Sequence, residues 1–104
     1  MNTTAHLLLA AALLTAPAAF AHGPAFDCYL EGAGGVKCEA GFTDGSSAAG
    51  RTIQVRDSRG KVLLEGPVAA DGSYRFQAPS GDYAVTFLGG DGHDATLQSF
   101  DITQ

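Results

Sequence analysis

From residue 25 onward, apolar residues recur at every second position in short runs, and turn residues, mostly glycine, cut each run within a few residues. This pattern rules out a helical core, because no stretch of that region sustains the three-to-four-residue apolar spacing of an amphipathic helix. Period-two alternation instead sends successive side chains to opposite faces of an extended strand. Arg51-Thr52-Ile53-Gln54-Val55-Arg56 alternates polar with apolar residues, Asp57-Ser58-Arg59-Gly60 supplies a turn, and Lys61 to Leu64 resumes the extended run, which reads as a hairpin. Seven strands are predicted, over about 25–30, 36–42, 51–56, 61–65, 73–77, 82–88 and 94–102. In the last, Ala95 and Leu97 share one parity but Phe100 and Ile102 the other, which predicts a bulge near Gln98. Many short strands with glycine-rich turns imply an all-β, seven-stranded antiparallel sandwich of two sheets.

The first 21 residues differ from the rest. Leu7 to Leu14 is an apolar run, Pro17 breaks it, and Ala19-Phe20-Ala21 has the small-x-small form that signal peptidase accepts. The run is too short to span a bilayer as a retained helix. Residues 1–21 are therefore expected to be a cleaved secretory signal, and residues 22–104 one exported β-sandwich domain, periplasmic or secreted. Every Asp, Glu, Lys and Arg lies in that second part, so the net charge of −5 belongs to it. Such acidity disfavours nucleic acid and anionic membrane surfaces as partners, and no later segment is apolar enough for membrane insertion.

Cys28 and Cys38 flank the turn-rich stretch Glu31-Gly32-Ala33-Gly34-Gly35. Cys28 shares parity with Phe26 and Leu30, and Cys38 with Val36, Ala40 and Phe42, so both point to one inward face once the chain folds back. An exported domain then favours a disulfide between them. The competing reading, thiolate metal ligands or a redox couple, is disfavoured because apolar surroundings raise a thiol's pKa and make it inert.

Cleavage after Ala21 would make His22 the first residue. Its α-amine and imidazole could close a chelate ring on a transition metal, both losing their protons near neutral pH. Nitrogen donors suit nickel, cobalt, copper or zinc. Pro24 lacks the N–H needed for a longer chain of deprotonated amides to wrap the ion, so a further side chain must come from elsewhere. His93 is the other histidine of the domain, and its loop places Asp91 and Asp94 beside it as carboxylate donors. The bland alternative is a solvated terminus and turn chemistry.

Gly50 to Leu88, with Ile53-Gln54-Val55, Asp57-x-x-Gly60, Asp71-Gly72-Ser73-Tyr74-Arg75-Phe76 and Pro79-x-Gly81-x-Tyr83, resembles the transthyretin-like and carboxypeptidase-regulatory-like β-sandwich superfamily. Tyr29-Leu30-Glu31-Gly32 and Gly90-Asp91-Gly92-His93-Asp94-Ala95 add a narrower similarity to small extracytoplasmic subunits of bacterial nickel and cobalt uptake systems. That resemblance implies an exported module presenting nickel, cobalt or copper to membrane transporter subunits through His22 and His93. The cysteine pair is not part of the family pattern.

No Gly-x-Ser-x-Gly elbow, His-Glu-x-x-His motif or phosphate loop is present, so enzymatic function is not expected. A histidine brace for copper oxygenation would share the His22 geometry but would need a broader aromatic surface. Two functions remain as expectations: the metal-binding module, and a non-catalytic structural or adhesive β-sandwich of the cell envelope.

Overall fold

A computed structural model describes residues 23–104. The expected signal segment 1–21 and His22 lie outside the described residues. The chain forms seven strands: β1 (Pro24–Gly32), β2 (Gly35–Phe42), β3 (Thr52–Asp57), β4 (Val62–Pro67), β5 (Ser73–Gln77), β6 (Tyr83–Leu88) and β7 (Ala95–Gln98). They pair antiparallel in two sheets, β1-β2-β5 and β4-β3-β6-β7. This is the all-β, two-sheet sandwich that the alternation predicts.

The inward faces follow the parity of the sequence. In the β1–β2 hairpin Phe26 lies opposite Ala40, Cys28 opposite Cys38 and Leu30 opposite Val36. Cys28 and Cys38 are joined by a disulfide across a Cα–Cα distance of 4.0 Å, and both are buried. The facing sheet contributes Ile53 and Val55 from β3 and Val85 and Phe87 from β6, all fully buried. Phe87 meets Phe26 and Phe42 of the other sheet, each at 5.6 Å between ring centroids.

The last predicted strand needs correction. The expected run 94–102 is not one bulged strand; β7 ends at Gln98, and a 3-10 turn over Ser99–Asp101 changes the phase. The turn has a physical purpose, since the chain here leaves one sheet for the other. Ile102 is buried in the core, and Thr103 pairs parallel with Tyr29, its carbonyl accepting a hydrogen bond from the Leu30 N–H at 2.9 Å. On the other side of the sandwich Tyr74 of β5 lies over Gly66 of β4, where an added Cβ would sit 2.8 Å from the ring.

Register irregularities lie instead between Leu30 and Gly32 of β1, where Glu31 is unmatched, and in β4. Val55 faces Leu64 and Arg56 faces Val62, leaving Leu63 unmatched on this edge strand. Val62, Leu63 and Leu64 are 38–39% exposed there. Bulge, Glu65 and Pro67 together are the features by which an edge strand resists pairing with another chain.

Turn chemistry fixes the register of β5 on β2 within the three-stranded sheet. Asp71 Oδ1 accepts hydrogen bonds from the Ser73 hydroxyl (2.6 Å) and N–H (3.0 Å), while the Gly72 carbonyl accepts from Ala40 N–H of β2 at 2.8 Å. The Ser73 hydroxyl and then its N–H hold the Asp71 carboxyl below its ordinary pKa. A carboxyl whose folded pKa is lowered adds stability that is complete above its unfolded pKa and disappears as pH falls through the folded one. Asp71→Asn should therefore lower the melting temperature at neutral pH, and the difference from the parent should shrink on acidification below the ordinary carboxylate range. An unchanged difference at low pH in parallel thermal melts would refute this.

The disulfide closes a loop with a sequence separation of 10. In the chain-entropy model such a bridge stabilises the fold by about 2.5–3 kcal/mol. Replacing both cysteines with alanine should lower the melting temperature by roughly 10–20 °C in a domain of this size, measured by circular dichroism.

Candidate functional site

The His93 turn and the start of β1 at Gly23 lie at one end of the sandwich. Gly23 donates its N–H to Thr43 Oγ1 and accepts from the Thr43 N–H, both at 2.9 Å, so the start of β1 is tied to the end of β2. One residue back, Phe42 meets the His93 ring edge-on at a centroid distance of 6.3 Å. The beginning of the described chain and the His93 turn are thus neighbours across the two sheets, although about seventy residues separate them in sequence.

His93 sits just before β7 in a turn built for its backbone. Asp91 and Gly92 both have positive φ, +50° and +80°, and the His93 N–H donates to the Gly90 carbonyl at 2.8 Å. Two central residues with positive φ are the mark of a type I′ hairpin turn, for which Asp-Gly is a favoured pair. Gly89 is buried, and a Cβ there would lie 2.2 Å from the His93 carbonyl oxygen, so only glycine lets the two backbones pass.

The His93 Nδ1 also lies 2.9 Å from the Gly90 oxygen. A carbonyl only accepts, so a neutral imidazole in this contact carries its proton on Nδ1 and its lone pair on Nε2. A backbone carbonyl holding the second ring nitrogen is also the usual outer support of a metal-binding histidine. Arg51, just ahead of β3, presses its guanidinium against Gly90, with Nη1 2.7 Å from where a Cβ would stand. This contact spans 39 residues and had no signal in the sequence pattern; it sets a positive charge beside the turn.

Asp91 and Asp94 are both exposed. Among the described residues, no group of three or more His, Cys, Asp or Glu side chains is arranged to hold a metal ion. The structure brings His93 to the start of β1 but does not assemble a complete donor set from residues 23–104. The cysteines are committed to their disulfide, so neither thiolate is a ligand. Also among the described residues, no helix is long and apolar enough to cross a membrane.

Compared with known protein families, with characterised proteins and with solved structures, the chain matches none.

The tight passage at Gly89 gives a direct check. Gly89→Ala should destabilise the domain by about 2 kcal/mol or more, because its Cβ meets backbone rather than a movable side chain. In an amide correlation spectrum the largest changes should fall at 89–94 and at Phe42. Shifts spread evenly over the core would refute the local account.

Proposed function

We propose that this protein is an exported metal-binding module of the transthyretin-like kind, which takes nickel, cobalt or copper as cargo and presents it to a membrane uptake system. The observation that carries the reading is the adjacency of the His93 turn and the start of β1, joined through Phe42. His22 immediately precedes Gly23, so a terminal amine and imidazole at that position would need only a short reach to meet His93. The hydrogen bond from His93 Nδ1 to Gly90 supports Nε2 as the donor atom. Asp91 and Asp94 stand on either side of His93 as carboxylates available to a flexible outer sphere.

The chemistry needs no catalytic group. Binding displaces protons from the nitrogen donors, so acid releases the ion and neutral pH retains it. A carrier benefits from that reversibility, because cargo held by few donors can be passed on.

The test begins with N-terminal sequencing of exported protein, expected to return His-Gly-Pro-Ala-Phe. Titration calorimetry of that protein with Ni(II), Co(II) and Cu(II) should show one equivalent bound, with proton release and weaker binding as pH falls. His93→Ala, or one extra residue ahead of His22, should each weaken binding by about tenfold or more. Equal affinity in both variants would reject this site, and a lack of binding by the parent would favour the structural or adhesive reading.

A further inference from the structure

At the opposite end of the four-stranded sheet lies a second feature, unrelated to the histidines. The 3-10 turn leaves Phe100 78% exposed, the most exposed of the large apolar side chains described. This exposure does not come from a loose chain. The turn is fastened by Gln98 N–H to Asp101 Oδ2 (3.1 Å), by Tyr83 N–H to Ser99 Oγ (3.2 Å), and by the buried Ile102 that follows it. With the backbone fastened, the ring stays at the surface instead of turning into the core, and aromatic side chains are enriched among the anchors of recognition surfaces.

Beside Phe100 lies a groove of about 370 Å³, bounded by the Asp57–Gly60 turn on one side and Ser99–Phe100 on the other. Its floor is the register row Arg56, Ala84, Gln98 across β3, β6 and β7. The small central Ala84 leaves a dip between two long polar side chains. Arg56 is pre-oriented by hydrogen bonds from its guanidinium to the Gly60 carbonyl and to Gln54 Oε1, which leave further N–H donors. Asp82 stands exposed on the rim.

We propose that this groove binds a neutral saccharide, one ring face stacked on Phe100 and the hydroxyls held by Asp82, Gln98 and Arg56. The groove's chemistry selects that class. An anionic ligand would meet Asp57 and Asp82 against the one guanidinium of the lining, Arg56, on a protein of net charge −5. A wholly apolar ligand would strip water from the carboxylates, amide and guanidinium and return no hydrogen bonds. A pyranose offers an apolar C–H face for the ring and hydroxyls that both donate and accept, and the volume suits roughly one or two such rings. The site is independent of the metal reading, because β6 separates the two ends by roughly 17 Å at ~3.4 Å per residue.

Saturation-transfer NMR on the disulfide-bonded protein with glucose, N-acetylglucosamine, maltose and cellobiose tests this. At least one sugar should show transfer concentrated on the C–H protons of one ring face, with a millimolar dissociation constant; comparing the mono- with the disaccharides separates a single-ring site from a chain-binding one. Phe100→Ala should weaken binding about tenfold, Phe100→Tyr should restore it, and Asp82→Asn should weaken it, all with the melting temperature kept. The proposal is overturned if none of the four sugars shows transfer, if Phe100→Ala binds like the parent, or if a neutral pentapeptide receives transfer where the sugars do not.

Discussion

The contact on which most of this molecule depends is the meeting of three phenylalanines between the sheets. Phe87 of β6 is fully buried and touches Phe26 of β1 and Phe42 of β2. Two strands of one sheet are thereby keyed to a strand of the other, which fixes how the sheets lie together. Phe42 then passes that order outward, since its ring is also the surface against which His93 rests. Truncating Phe87 would cost about 3–5 kcal/mol as a core cavity and would also loosen the end where the histidine is displayed.

The sequence foretells the fold well because the fold is written in parity. Val36, Cys38, Ile53, Val55, Val85 and Phe87 sit at alternating positions, and all are fully buried. The disulfide is legible for the same reason: Cys28 and Cys38 share an inward parity about a glycine turn, and antiparallel pairing makes them exact partners. Parity fails where the chain changes sheets. Alternation predicts one strand over 94–102 with a bulge near Gln98, whereas a 3-10 turn reverses the phase so that Ile102 enters the core and Phe100 is left outside.

The functional ends are less legible, for a physical reason. A candidate site here is an encounter between segments distant in sequence, such as Phe42 with His93 or Arg51 with Gly90. Alternation says which face a residue takes but not which loops share an end. Glycine spacing carried part of the information: the run Gly89-Gly90-Asp91-Gly92 marks a tight turn, though only the close approach of Gly89 to the His93 carbonyl explains why the first of these must be glycine.

The pairing of Thr103 with β1 bears on when the domain can finish folding. The β1–β2 hairpin is local, and its disulfide can form from sequence neighbours alone. Yet the Leu30 N–H waits for the Thr103 carbonyl, 73 residues later, and Ile102 fills the core just before it. A chain that emerges from its N-terminus holds a bridged hairpin early but lacks Ile102 and Thr103 until the strands between have been made. Ile102 and Thr103 behave as a clasp on β1, whose Leu30 N–H stays without this partner until they arrive.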